Sequence, residues 1–428
     1  MSAQTMTSLL PAGLAVRVFI AFAAGYFMSY GLRTVNVIIA PDLIDEFGLT
    51  HTQLGSLSSA YFLSFAALQL PLGIWLDRYG SRRTDAALLT VAAAGCAVFA
   101  LAGSSAMLWV GRALIGVGVS GALMSSLRAF RFWYAAERQQ QLAVWMLVAG
   151  ALGSLVSTLP AQLALPLVGW RGLFWGACVL LCLCALSVYT VVPKEPAASN
   201  GDDSRWSGYR EVFAEPYFWR FAVVSLTMQS TFIALQTLWI GPWFRQVLGI
   251  DAATAAQALF IVNLVLMCGF LGLGWAVPGL ARRGVGTLQL VGGAALVMIV
   301  LQIAIAFASG PAAWLLWLPL ALASTCQTLA QTHVSLSFPE RLTGRAFTAY
   351  NLLVFIGMFG AQWLFGALVD LFGGQQGHAA GAAGFRPALL TCIAVQMVAC
   401  CVLLGWRVQP PQPVPLDRSG ELPTIERP

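Results

Sequence analysis

Long apolar runs, separated by short polar ones, recur from one end of the chain to the other. A run of about 20 apolar residues forms a helix long enough to cross a ~30 Å hydrocarbon layer. We count twelve such runs, and each predicts one membrane-spanning helix. The predicted spans are residues 17–41, 52–76, 84–103, 106–130, 140–163, 170–192, 217–240, 254–278, 285–308, 312–337, 345–370 and 384–406.

The polar segments divide the spans into two groups of six. The longest one, PKEPAASNGDDSRWSGYREVFAEP, is rich in Pro, Ser, Gly and charges, which is typical of a linker outside the membrane. A weak repeat relates residues 73–83 to residues 274–284, which indicates two pseudo-symmetric bundles. The sequence therefore predicts an all-α membrane protein with a tail over 1–16, a six-helix bundle over 17–192, a linker over 193–216, a second six-helix bundle over 217–406 and a tail over 407–428.

Charge patterning predicts the orientation of these spans. Of the 23 Lys and Arg residues, eighteen fall on the side that carries both termini and only three fall on the other side. Positive residues concentrate in cytoplasmic loops, so we expect both termini in the cytoplasm. The net charge of +6 then reflects topology, and we expect no nucleic-acid partner. The chain has one Lys among these 23 residues, which is typical of a GC-rich bacterial genome and predicts a bacterial inner membrane as the location.

Composition supports the membrane class and excludes several others. Hydrophobic residues make up 59% of the chain, charged residues make up 9%, and the mean hydropathy is +0.78. All nine cysteines fall inside predicted spans and the three histidines are far apart, so we expect no disulfide, no metal site and no cofactor. No nucleophile motif or phosphate loop is present, which argues against an enzyme.

The short loop between predicted spans two and three is densely charged. Between predicted spans two and three the chain reads GIWLDRYGSRR, in which the notable positions are Gly73, Asp77, Arg78, Gly80, Arg82 and Arg83. This segment resembles the signature loop of the major facilitator superfamily, whose members are twelve-helix secondary transporters. The resemblance implies that Asp77 meets a helix N-terminus of the second bundle and holds the cytoplasmic side shut, as a gate. The alternative is that the arginines only anchor the topology.

Two arginines remain inside the predicted spans. Arg33 lies in span one and Arg112 in span four, and both reach a similar depth in the outer third of the membrane. A buried cation costs several kcal/mol and therefore indicates function. None of the 17 acidic residues is predicted to lie deep in a span. The cavity between the bundles should therefore be positive, which favours an anionic substrate bound by a guanidinium fork.

The segments around these arginines carry a narrower resemblance. GLRTVNVIIA around Arg33 and GRALIGVG around Arg112 are similar to the organic-anion branch of sialin-like and vesicular glutamate transporters. The resemblance implies that both arginines take part in carboxylate binding or coupling. The branch often carries an acidic residue seven positions after the span-four arginine, where this chain has Val119. A structural role for Arg112 stays open beside direct contact with substrate.

Uncharged polar side chains inside the spans complete the candidate binding site. They are Tyr30, Asn36, Gln236, Gln327, Gln331 and Asn351. Some of them are alternatively interhelical hydrogen bonds that only fasten the bundles.

These features predict a secondary active transporter of a small organic anion that works by alternating access. The alternative is a multidrug or metabolite exporter of the same superfamily, and a receptor or membrane enzyme is a third class. The expected partners are the substrate, a coupling ion or counter-anion, and the lipid bilayer, and we expect a monomer. Uptake and efflux stay open, as do symport, antiport and uniport.

Overall fold

The computed structural model describes residues 10–195, 207–373 and 377–411, and within these ranges all regular structure is helical. This agrees with the predicted all-α class. The helices are α1 (Ala12–Thr34), α2 (Asn36–Phe47), α3 (His51–Ala100), α4 (Ser105–Trp133), α5 (Ala136–Val156), α6 (Leu159–Val191), α7 (Ser207–Ala214), α8 (Pro216–Val247), α9 (Ala252–Arg282), α10 (Thr287–Phe307), α11 (Pro311–Leu336), α12 (Glu340–Gly373) and α13 (Gly377–Gly405).

Ten helices in the described ranges are long and apolar enough to cross a membrane, against twelve predicted spans. The first difference is in α3, which contains predicted spans two and three in one helical run. Gly80 breaks this run with a φ of 75°, a left-handed conformation that glycine adopts without a steric penalty. The second difference is in α5, whose apolar part, Gln141–Val156, is too short for a full span. The chain bends after Val156, so the predicted span 140–163 ends early and its remainder belongs to α6.

The N-terminus of α3 is held by an acidic side chain from the other end of the chain. Asp370 Oδ2 accepts hydrogen bonds from the Thr52 backbone N–H at 2.7 Å and from the Thr52 hydroxyl at 2.6 Å. Asp370 Oδ1 accepts one from the His51 backbone N–H at 3.3 Å and lies 2.9 Å from His51 Nδ1. The first N–H groups of a helix lack partners within the helix, and their positive dipole end attracts a carboxylate. Asp370 therefore joins α12 to α3.

From this point α3 and α12 run side by side in opposite directions, and we call their contact the α3–α12 seam. Gly55 lets the α12 backbone approach closely, because a Cβ there would collide with a carbonyl oxygen of α12. Further along, the rings of Phe65 and Phe355 stack with centroids 3.9 Å apart. Beyond them Asn351 Nδ2 donates to Gln69 Oε1 at 3.0 Å. The seam thus joins helices that precede the linker to helices that follow it.

Two positions define the ends of the helix bundle. The end with His51 and Asp370 is called the His51 end. The end with Asp77, where the first part of α3 finishes, is called the Asp77 end.

The seam yields a prediction about stability. We expect Asp370→Asn to lower the free energy of unfolding by about 1–2 kcal/mol, because a neutral amide loses the attraction of the helix N-terminus and weakens the hydrogen bonds from Thr52. Thermal unfolding in a mild detergent measures the change. Thr52→Ser keeps the hydroxyl and serves as the control. An Asp370→Asn protein that melts with the unchanged protein would show that the carboxylate does not anchor the seam.

Candidate functional site

A central cavity of about 350 Å³ lies between helices from both sides of the linker. It is lined from α1, α3, α4 and α5 on one side and from α8, α9, α11 and α12 on the other. Its polar lining is Tyr26, Ser29, Tyr30, Arg33, Thr34, Gln69, Ser120, Ser154, Gln229, Gln236, Asn263, Ser324, Thr328, Gln331, Thr332 and Asn351. Among the described lining residues, Arg33 alone carries a charge. The cavity therefore has a net positive charge and a largely neutral hydrogen-bonding wall.

Arg33 reaches the cavity from α1, where Tyr26, Ser29 and Tyr30 share its helix face at spacings of three and four residues. Its guanidinium carbon lies 4.4 Å from the centre of the Tyr30 ring and 5.3 Å from that of Phe355. Aromatic faces attract a cation but do not neutralise its charge. Arg33 Nε is buried without a hydrogen-bond partner, and within the described residues Arg33 forms no ion pair. The guanidinium is therefore available to an anion.

Carboxamides from the helices after the linker form the opposite wall. Gln229 lies in one π-helical turn of α8, Ser225–Gln229, and Gln236 lies in a second, Leu235–Trp239. Gln236 Nε2 donates to Asn263 Oδ1 at 2.6 Å, so the carboxamides of α8 and α9 are hydrogen-bonded to each other in the cavity wall. Gln331 Nε2 donates only a long bond, 3.3 Å, to the Phe347 carbonyl. Because a carboxamide offers two donors and two lone pairs, these groups keep spare capacity for a ligand.

Arg112 lies outside the cavity lining. Its side chain is 0% exposed, and its Nη1 donates to the Leu32 carbonyl at 2.7 Å. The rings of Phe99 and Phe174 lie 5.1 and 5.4 Å from its guanidinium carbon. Leu32 directly precedes Arg33, so Arg112 fixes the α1 backbone next to the cavity cation. This geometry matches the structural alternative for Arg112 and not direct contact with a ligand.

The other predicted polar residues divide into two groups. The structure brings Tyr30, Gln236, Gln331 and Asn351 to the cavity together with Arg33. Asn36 and Gln327 lie outside it. Asn36 Nδ2 donates to the Ser58 hydroxyl at 2.7 Å, and Gln327, which is 0% exposed, donates to the Val291 carbonyl at 3.2 Å. Both are interhelical hydrogen bonds.

Several polar residues of the cavity lining were not among the candidates predicted from the sequence, and three of them are instructive. Gln69, Asn263 and Ser154 each lie in a predicted span and each line the cavity. Isolated carboxamides in spans two and eight are the signal that points to Gln69 and Asn263. Ser154 has no such signal, because a lone serine in a span is common at helix contacts.

The charged loop at the Asp77 end contacts helices that precede the linker and Glu195 at the start of the linker. Asp77 Oδ1 accepts from Arg128 Nη1 at 2.6 Å, and Arg128 Nε donates to Glu195 Oε2 at 3.1 Å. The other oxygen of Glu195 accepts from the Ser81 backbone N–H at 2.8 Å. Arg82 stacks over the Tyr189 ring of α6 at 4.6 Å. We call Asp77, Arg128 and Glu195 the charge triad.

The contacts of the triad differ from the predicted latch in this conformation, and the latch itself stays a prediction. Asp77 was expected to contact a helix of the second bundle, whereas its ion pair is with Arg128 of α4. The loop also contains two glycines, Gly73 and Gly80, a residue type that permits close helix approach and tight turns. Gly80 does turn the chain, but no atom lies within 4 Å of a Cβ placed on Gly73. Arg78 and Arg83 are exposed beside the triad.

One acidic residue is more buried than the sequence indicates. Asp85 follows the charged loop and lies at the edge of a predicted span, not deep in it, yet it is only 1% exposed in α3. The polar neighbours at 81–84 had placed it at the edge of a loop.

Comparison with known proteins gives the family. The profile of the Major Facilitator Superfamily matches residues 22–362. A probable sulfoacetate transporter of Cupriavidus necator is 33% identical over 152 residues, which cover 35% of each chain. The hexuronate transporter of Escherichia coli K12 is 27% identical over 34% of this chain and 32% of its own. A methylenomycin A resistance protein of Bacillus subtilis is 27% identical over 43% of this chain and 40% of its own. The matches thus span well under two thirds of these relatives.

Solved structures share the fold across nearly the whole chain. A bacterial homologue of the human lysosomal transporter Spinster, in an inward-facing occupied conformation, superposes with a TM-score of 0.77 at 19% identity and covers 92% of this chain and 97% of its own. A D-xylose–proton symporter gives a TM-score of 0.71 at 16% identity over 91% of this chain and 97% of its own. At these identities the likeness concerns the fold.

The charge triad yields a prediction, because one arginine serves two carboxylates of unequal burial. The Glu195 side chain is 4% exposed and that of Asp77 is 57% exposed. We expect Glu195→Gln to lower the free energy of unfolding by about 1–3 kcal/mol and Asp77→Asn by less than about 1 kcal/mol. Thermal unfolding of the two variants measures the difference. An Asp77→Asn protein that is the less stable of the two would contradict this assignment.

Proposed function

Since the chain belongs to the Major Facilitator Superfamily and is a membrane transporter of small solutes, we propose that its substrate is a small organic anion, moved by secondary active transport. The observation that carries the proposal is Arg33, the one charged side chain in the described lining of the central cavity. A buried cation without an ion-pair partner is costly unless an anion meets it.

The neutral part of the wall narrows the substrate further. One cation can compensate one negative charge, so a singly charged solute fits the cavity better than a dianion. The amides of Gln236, Asn263 and Gln331 suit a tail that carries hydroxyl or carbonyl groups. A cavity of about 350 Å³ suits a small metabolite. The sulfoacetate and hexuronate relatives are both named for organic anions, which supports an anionic substrate. A hexuronate carries one negative charge and matches the single-charge expectation, whereas sulfoacetate carries two.

Orientation and cycle follow from the charges and from the seam. We assign the Asp77 end to the cytoplasm, because the arginines concentrate there, and the location to a bacterial inner membrane. The α3–α12 seam then closes the outer side in this conformation. Alternating access requires the seam to open and the two six-helix bundles to meet at the Asp77 end instead. In that second state the exposed Asp77 is free to take the latch role that the family resemblance implies.

Drug export is the second candidate. The aromatic rings around Arg33 and the methylenomycin A resistance relative favour it. Export of cationic drugs differs from anion transport in the sign of charge that the cavity should accept, so a binding measurement separates these two functions.

The test is calorimetric binding to the purified protein in detergent. The probes are sulfoacetate, D-glucuronate, a set of monocarboxylates and dicarboxylates, neutral D-glucose and the lipophilic cation tetraphenylphosphonium. We expect at least one anion to bind and D-glucose to bind poorly. Tighter binding of the lipophilic cation than of any anion would favour drug export.

Variants of Arg33 then test the site itself. We expect Arg33→Gln to weaken binding of the best anion by roughly 10- to 100-fold, because a charge-assisted hydrogen bond is lost. Arg33→Lys should lose less, because the charge remains but the planar fork does not. Arg171→Gln, a change at the His51 end away from the cavity, is the control. Equal affinities for all these proteins would remove Arg33 from the binding site.

A further inference from the structure

Asp85 is a buried carboxyl group that the proposed transport mechanism does not use. It lies in α3 and is 1% exposed, and neither of its oxygens has a hydrogen-bond partner. The Ser125 hydroxyl of α4 faces it and also lacks a partner. An ionised carboxylate without a partner is expensive to bury, whereas a neutral carboxylic acid can donate its proton to a hydroxyl oxygen. The site therefore fits Asp85 in its protonated form.

The charged and titratable groups around Asp85 come from three helices. On α3, Arg82 is one turn away, stacks over Tyr189 of α6 and has a buried Nε without a partner. On α6, the Cys184 thiol faces the carboxyl group. On α4, Arg128 lies one turn from Ser125 and is held by the other two members of the charge triad. Within the described residues, none of these cations forms an ion pair with Asp85.

The spacing relates Asp85 directly to the charge triad. Ser81, whose N–H donates to Glu195, is four residues before Asp85 on α3. Ser125 is three residues before Arg128 on α4. Because residues three or four apart share a helix face, Asp85 lies one turn deeper than the triad along the same two helices. Arg128 thus lies one helical turn from Ser125, and in this conformation two other carboxylates occupy it.

We propose that Asp85 is a proton-binding site of this transporter, protonated while Asp77 holds Arg128 and ionised when Asp77 releases it. On release, the O–H bond of the Asp85 carboxylic acid breaks, the proton leaves to water at the Asp77 end, and the carboxylate pairs with Arg128. Asp77 is the exposed member of the triad, so it is the one that a rearrangement at that end can remove. The use of this proton as a coupling ion rests on the proposed transport function, but the site itself does not.

The experiment detects the proton directly. Infrared difference spectroscopy of the full-length protein at pH 7 records the carbonyl stretching band of a protonated carboxylic acid and its shift in deuterium oxide. We expect the unchanged protein to show the band and Asp85→Asn to lose it, while Asn keeps the size of the side chain. Ser125→Ala should keep the band at a shifted frequency. A band that survives in Asp85→Asn, or no band in the unchanged protein, would overturn the proposal.

A double variant tests the link to Arg128. We expect Asp77→Asn to weaken the band, because Arg128, left with Glu195 as its one carboxylate partner, can then favour ionised Asp85. Asp77→Asn with Arg128→Gln should restore the band. A band of equal strength in all these proteins would show that Arg128 does not respond to Asp85. Because no substrate is used, failure of the anion-transport proposal would leave these outcomes unchanged.

Discussion

An ionised side chain inside a helical membrane bundle needs a partner, because neither lipid nor a close-packed protein interior solvates a charge. Several buried or half-buried charges in the described part of the chain meet that requirement in ways that also hold helices together. Asp370 accepts hydrogen bonds from the N-terminus of α3, and Glu195 forms an ion pair with Arg128. Near the His51 end, hydrogen bonds from the Arg171 guanidinium hold the pKa of the Glu46 carboxyl below its ordinary value. Each pair joins different segments, so charge compensation and helix packing are achieved by the same contacts.

Within the described residues Arg33, Arg112 and Asp85 are buried or half-buried without an ion pair. Arg112 is fixed by its hydrogen bond to the Leu32 carbonyl, whereas Arg33 and Asp85 have no such bond, and these two departures from the pattern differ in kind. Arginine stays protonated under all ordinary conditions, so an unpaired Arg33 can be relieved only by an external anion or by a moving acidic group. A carboxyl group can discard its charge by binding a proton. The first departure therefore points to a substrate and the second to a proton. Both groups lie among helices that precede the linker.

Much of the fold follows from the sequence, because span length and loop charge are local properties. The missed features depend on which helix lies next to which. Gln327 and Gln331 are one turn apart on α11, yet Gln327 is buried against α10, whereas Gln331 lines the cavity. Helical periodicity places the two on one side of the helix but cannot say where the neighbouring helix ends. Asp85 was missed for the same reason, because its burial comes from α4 and α6. The partner of Asp77 depends in addition on conformation, which a single sequence does not specify.

The cavity is chemically uneven, and this bears on the proposed cycle. The cation comes from α1, whereas most of the carboxamides come from α8, α9, α11 and α12. A ligand shifts a conformational equilibrium only through contacts whose strength differs between the two states. In the proposed cycle the helices before the linker and those after it move as two units. Contacts of the anionic group with Arg33 alone are then equal in both states, so they contribute to binding but do not drive the change. The contacts that alter are those of the substrate's tail with the opposite wall. In this mechanism Arg33 sets affinity for the charge, while the neutral amides decide which anions are carried across.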